Sequence, residues 1–119
     1  MRFLPFLLLP VLAFAKETPV ADAAALEAAV KSVQPGDVLV MAEGEWRDVE
    51  IVLTGQGTAQ APITLRAAVP GKTILTGKSI LRIGGEHLAV AGLHFKNPDP
   101  ALSDLIQFRK DSNSNSLSR

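Results

Sequence analysis

The chain has 119 residues, no cysteine, 12 basic and 12 acidic side chains, and apolar residues at 47% of its positions. That is enough length and apolar content for one domain with its own core, and it excludes a small scaffold held by disulfides. The even charge argues against a nucleic-acid binder, which needs a marked positive excess.

Residues 1–15 read as a targeting signal. Arg2 supplies a positive start, Phe3 to Phe14 is apolar apart from two prolines, and Ala13-Phe14-Ala15 offers small residues at the cleavage positions. The run is well short of the ~20 apolar residues that a spanning helix needs. Cleavage after Ala15 is expected, with export to the periplasm or the medium and no membrane attachment afterwards.

From Asp22 to Val33 the apolar period is helical. Leu26, Ala29, Val30 and Val33 share one face, Glu27 and Lys31 lie opposite, and Asp22 is a good N-cap. Pro35-Gly36 stops the run. Beyond it, from Gln34 to Asn97, short β-branched segments alternate with turns: Val38-Leu39-Val40, Val49 to Leu53, Ile63-Thr64-Leu65, Thr73-Ile74-Leu75, Leu81-Arg82-Ile83 and Leu88 to Phe95. Pro35-Gly36-Asp37, Gly44, Gly55, Gly57, Pro62, Pro70-Gly71, Gly77 and Gly84-Gly85 punctuate them. The turns recur too quickly for helices between strands, so the pattern predicts an all-β coil and not βαβ units.

Apolar positions recur at a shift of 25: Val38 falls on Ile63 and Leu88, Val40 on Leu65 and Val90, Val49 on Ile74, Leu81 on Ile106 and Ile83 on Phe108. Such a repeat in short strands predicts a solenoid of stacked coils. The first coil of a solenoid exposes an apolar cross-section and an unpaired edge, so the helix is expected to cap it.

Glu43, Glu45, Asp48 and Glu50 are opposed only by Arg47, whereas Ile51 to Gly85 carries Arg66, Lys72, Lys78 and Arg82 and no acid. The basic segment suggests a face for a polyanionic sugar chain; a set of solvated faces is the alternative. Lys96 to Ala101 reads as a loop interrupting the coil, Leu105 to Arg109 as a resumed strand, and Asp111 to Arg119 as a polar tract without a capping element. The expected organisation is a leader over 1–15, a segment with the capping helix over 16–34, the first coils over 35–110 and a polar end over 111–119.

Candidate chemistry is sparse. His87 and His94 do not form a zinc-ligand pair, and His94, between Leu93 and Phe95 on a strand, is expected to point outward. Asp99, Asp104 and Asp111 lack the spacing of a known calcium loop. Ser79 and Ser103 sit in no nucleophile elbow, and Gly55 and Gly57 fit a chain reversal better than a phosphate loop. No residue is assigned a catalytic, metal-binding or cofactor-binding role.

Leu26 to Lys110 resembles the N-terminal part of the polysaccharide lyase family 6 enzymes, the chondroitinase B-like alginate lyases. The resemblance is carried by Gln34 to Val40, Glu43-Gly44-Glu45-Trp46, Ala61 to Ala67, Pro70 to Gly77, Leu81 to Gly85, Leu88 to Asn97 and Ile106 to Lys110. It implies an exported right-handed parallel β-helix that cleaves alginate or a uronate-containing glycosaminoglycan by β-elimination. It also implies, for the full-length family, a lysine base, an assisting arginine and a calcium ion on the uronate carboxylate. The resemblance places those groups on coils beyond Lys110, so this chain alone is expected to be inactive and to hold no cofactor. Two alternatives stand beside it: an exported module holding anionic glycan through Arg66, Lys72, Lys78 and Arg82, and a degenerate product whose open edge drives aggregation.

Overall fold

The computed structural model describes residues 16–110 and 112–118. The predicted leader, residues 1–15, lies outside them, as does Asp111. The described chain opens with strand β1 (Glu17–Val20), followed by helix α1 (Ala23–Lys31). Asp22 caps the helix as its position suggests, its Oδ1 accepting from the Ala25 N–H at 2.9 Å. Leu26 is buried, and Ala29, Val30 and Val33 pack beside it against the core. The helix lies on strand β4 (Glu50–Gln56), with β1 and strand β2 (Val38–Met41) alongside. It covers the first coil, as a cap should.

After α1 the chain runs three times around the same three-sided path. The first coil is β2, β3 (Gly44–Arg47) and β4; the second is β5 (Ile63–Ala67), β6 (Thr73–Gly77) and β7 (Ile80–Glu86). The third is β8 (Leu88–Ala91), β9 (Leu93–Pro98) and β10 (Ile106–Phe108), and β11 (Ser116–Ser118) begins a further turn. Sheet A has the order β1-β2-β5-β8-β11, sheet B β3-β6-β9 and sheet C β4-β7-β10. All strand pairs are parallel. The fold is a parallel β-solenoid with one short helix.

Alternation along each strand sends every second side chain inward, and register stacks equivalent inward residues in rows. Sheet A stacks Leu39, Leu65, Val90 and Leu117; sheet B stacks Trp46, Leu75 and Phe95; sheet C stacks Ile51, Leu81 and Ile106 beside Leu53, Ile83 and Phe108. Each fully buried Leu or Ile contributes about 1.5–3 kcal/mol relative to exposure. Burial fades along the rows. Leu53 and Ile83 are 0% exposed, but Phe108, next in their row, is 51% exposed, and Leu117 at the end of its row is 40% exposed.

Several sequence expectations need correcting. The shift of 25 holds for Ile63 on Leu88, Leu65 on Val90, Leu81 on Ile106 and Ile83 on Phe108. It fails in the first coil, where Val38 pairs with Thr64 and Val40 with Arg66, leaving Leu39 and Met41 as the buried residues. A slip of one residue exchanges the two faces of a strand. Val49 does not lie on Ile74 either, because Glu45 does. The predicted strand Leu88 to Phe95 is two strands on different sheets, divided at Gly92, whose φ of +81° turns the corner. Lys96, Asn97 and Pro98 belong to β9, so the interrupting loop starts at Asp99. Strands β1, β3 and β11 fall in segments that showed no strand pattern, Gly44 at the start of β3 having been read as a turn.

The corner after sheet B is fastened by Ser79, which is 1% exposed. Its Oγ accepts from the Val49 N–H at 3.1 Å and donates toward the carbonyls of Thr76 and Trp46, at 2.7 and 3.1 Å. Ser79→Ala strands the Val49 N–H and should cost about 1–3 kcal/mol. The urea midpoint followed by emission of Trp46, the single tryptophan, measures it. An unchanged midpoint would show that the hydroxyl is dispensable.

Candidate functional site

The four basic residues of the second coil were the strongest sequence candidates for a binding face, and the structure separates them. Arg66 lies on β5 in sheet A and pairs with Glu17 at 3.3 Å. Lys72 is exposed just before β6, and Lys78 is exposed just after it, where its backbone N–H donates to Asp48 Oδ1 at 2.7 Å. Arg82 lies on β7 in sheet C, donating to Glu50 and, at 3.0 Å, to Gln107 Oε1. A stretch that is continuous in sequence is thus wound around a whole coil. The residues share no face, and acids offset both arginines.

The acidic segment is also tied down locally. Glu45 accepts from Thr76 Oγ1 at 2.7 Å and pairs with Arg47 at 3.6 Å, while Asp48 lies 3.9 Å from Arg47. The diagonal contacts Glu45–Thr76 and Glu50–Arg82 and the register pair Arg82–Gln107 link side chains between coils. Sequence reading missed them, because recognising them needs the register of each sheet.

His94 is exposed on the outer face of sheet B, between the half-buried Leu93 and Phe95, as alternation predicts. His87 sits in the turn between β7 and β8 with φ +53°, apart from any acid cluster. Asp99 Oδ1 accepts from the Ala101 N–H at 2.8 Å, and Asp104 Oδ2 lies 3.5 Å from Gln107 Nε2. Among the described residues no three His, Cys, Asp or Glu side chains gather where a metal ion would fit. This set does not fit the calcium centre that the family resemblance implies. Ser79 is structural, and Ser103 lies in the exposed loop after β9.

Two of the concave regions among the described residues are mainly apolar. A groove of about 450 Å³ runs between α1 and β4, lined by Leu26, Val30, Ile51 and Val52 with Glu27, Lys31 and Glu50 at its rim. It is the seam between the cap and the first coil. A hollow of about 280 Å³ among Leu93, Phe95, Ile106, Leu117 and Ser118 is the open end of the stack. The first sets Glu27, Glu50 and Lys31 around an otherwise apolar seam, and the second has no ionisable side chain.

The stacking pattern decides the kinship. The family model for chondroitinase B matches residues 20–118, nearly the whole described solenoid. The chain belongs to the chondroitinase B family. Among solved structures, the PL6 family alginate lyase AlyGC superposes with a TM-score of 0.81 at 38% identity, over 85% of this chain and 14% of AlyGC. The PL6 family polysaccharide lyase Pedsa3628 from Pseudopedobacter saltans gives 0.77 at 36% identity, over 83% of this chain and 23% of that one. A mannuronic acid specific family 6 lyase from human gut microbiota gives 0.75 at 30% identity, over 87% and 25%. No curated protein matches. This chondroitinase B family chain therefore spans a quarter or less of each of these three lyases.

Proposed function

We propose that the chain forms the opening coils of an exported polysaccharide lyase that cleaves acidic polysaccharide, alginate or a uronate-containing glycosaminoglycan, by β-elimination. Alone it supplies the capped start of the solenoid and no turnover. One observation carries the reading: the likeness to AlyGC extends over 85% of this chain but only 14% of that enzyme. The local geometry agrees with it. β-Elimination needs a base within reach of the proton beside the uronate carboxylate and a cation or fixed donors to hold the charge that develops. Arg66 and Arg82 are held by Glu17, Glu50 and Gln107 on separate sheets, and Lys72 and Lys78 flank a third. The glycan-binding alternative relied on those four residues sharing a face, and their dispersal removes its basis.

Residues 16–119, folded by the criterion of blue-shifted Trp46 emission, should release no unsaturated uronate from alginate or dermatan-type substrates, with calcium or with chelator. Absorbance of the unsaturated product is the readout. Product formation would refute the reading and make Arg66, Lys72, Lys78 and Arg82 the first substitution targets.

A further inference from the structure

Asp37 is the one ionisable side chain buried among the described residues, at 8% exposure. Its Oδ2 accepts from the Gln34 N–H at 2.8 Å, which closes the turn at Pro35-Gly36. Among the described residues no cation lies within ion-pair distance of it. A carboxylate withdrawn from water without a countercharge is costly. Alternation sets Asp37 on the inner face with Leu39 and Met41, just before β2 begins.

The residue across from it is Lys16. Strand β1 runs in register with β2 from Glu17 opposite Val38, and the Lys16 carbonyl accepts from the Val38 N–H at 2.8 Å, so Lys16 stands opposite Asp37. In an extended strand the N–H and C=O of one residue face the same neighbour, so the Lys16 nitrogen also faces β2. As an amide that nitrogen is neutral; as a chain terminus it is a cation in most copies near pH 7. We propose that cleavage of the Ala15–Lys16 bond supplies Asp37 with its countercharge. Water adds across the amide, Ala15 departs with a carboxylate, and Lys16 keeps a protonated α-amine that pairs with Asp37. Leader removal thereby fastens β1, and the α1 cap that follows it, to the first coil. The inference rests on the exported reading above.

Two chains made without the full leader test the pair: residues 16–119, with Lys16 as first residue, and residues 13–119, which retain Ala13-Phe14-Ala15. Urea unfolding followed by Trp46 emission should show the first to be more stable, with a folding constant about tenfold larger, the ratio that 1.4 kcal/mol produces. Asp37→Asn, which keeps an acceptor for the Gln34 N–H, should abolish the difference between the two lengths. Lys16→Gln should preserve it, since the α-amine and not the side chain is the partner. Equal midpoints for the two parent chains overturn the proposal, as does a difference that survives Asp37→Asn or disappears with Lys16→Gln. N-terminal sequencing of the 119-residue chain after export from a bacterial host should return Lys16 first. Another first residue overturns the proposal through the leader reading, whereas equal midpoints overturn it whatever becomes of the leader.

Discussion

Gly85→Ala is expected to leave the chain largely unfolded at 37 °C. Gly85 has φ +130°, and an added Cβ would lie 2.1 Å from the carbonyl oxygen of Gly55 and 3.0 Å from its nitrogen. The obstacle is the backbone of the neighbouring coil, paired through Gly55 and Gly85, so no rotamer relieves it. Backbone strain of about 1–3 kcal/mol adds to about 1–3 kcal/mol for forcing the packing apart, and a chain of this size has little stability beyond that. Gly71→Ala is the control: φ is +82° there too, but nothing lies within 4 Å of the added carbon. It should cost only about 1–2 kcal/mol. Urea curves monitored at Trp46 compare the two, and equal midpoints would mean that the close approach of Gly55 and Gly85 is not a constraint.

Leu65→Ala should cost about 2–5 kcal/mol, the range for emptying a buried leucine site. Leu65 is 0% exposed and stands between Leu39 and Val90 in its row. Ladder hydrogen bonds on both sides hold β5 to its neighbours, so the coils above and below cannot close on the cavity. Val52→Ala, on the outer face of sheet C at 37% exposure, should change stability by less than about 1 kcal/mol. A Leu65→Ala midpoint as mild as that of Val52→Ala would show that the stack relaxes into the gap.

The solenoid was legible in the sequence because strand segments and turns alternate without room for helices, and because the second and third coils keep the apolar shift at Ile63, Leu65, Leu81 and Ile83. Helix α1 was legible through Asp22 and the spacing of Leu26, Ala29, Val30 and Val33. Exact register was not. Sheets differ in the length of chain between successive strands, so a single period misplaces Val38, Val40 and Val49. Strand β11 was hidden because Ser116-Leu117-Ser118 has only one apolar residue to bury, and β1 because Pro19 argues against a strand away from an edge. Gly92 lay inside an apolar run whose two halves join different sheets, which composition alone does not reveal. The candidate site failed for a related reason: Arg66, Lys72, Lys78 and Arg82 are near in sequence, but β5, β6 and β7 carry them around the perimeter.

The unequal corners have an evolutionary consequence. Strand pairing fixes the three sides of each coil, while differences in chain length are absorbed between them, as in the Asp99–Leu105 segment between β9 and β10 where the preceding coil has only Lys78 and Ser79. A lineage built on this plan can therefore lengthen one corner, and place new side chains over an outer face, without changing any residue of the buried rows. Insertions at corners and substitutions in rows become separately selectable, so recognition loops can diverge rapidly over a slowly changing interior.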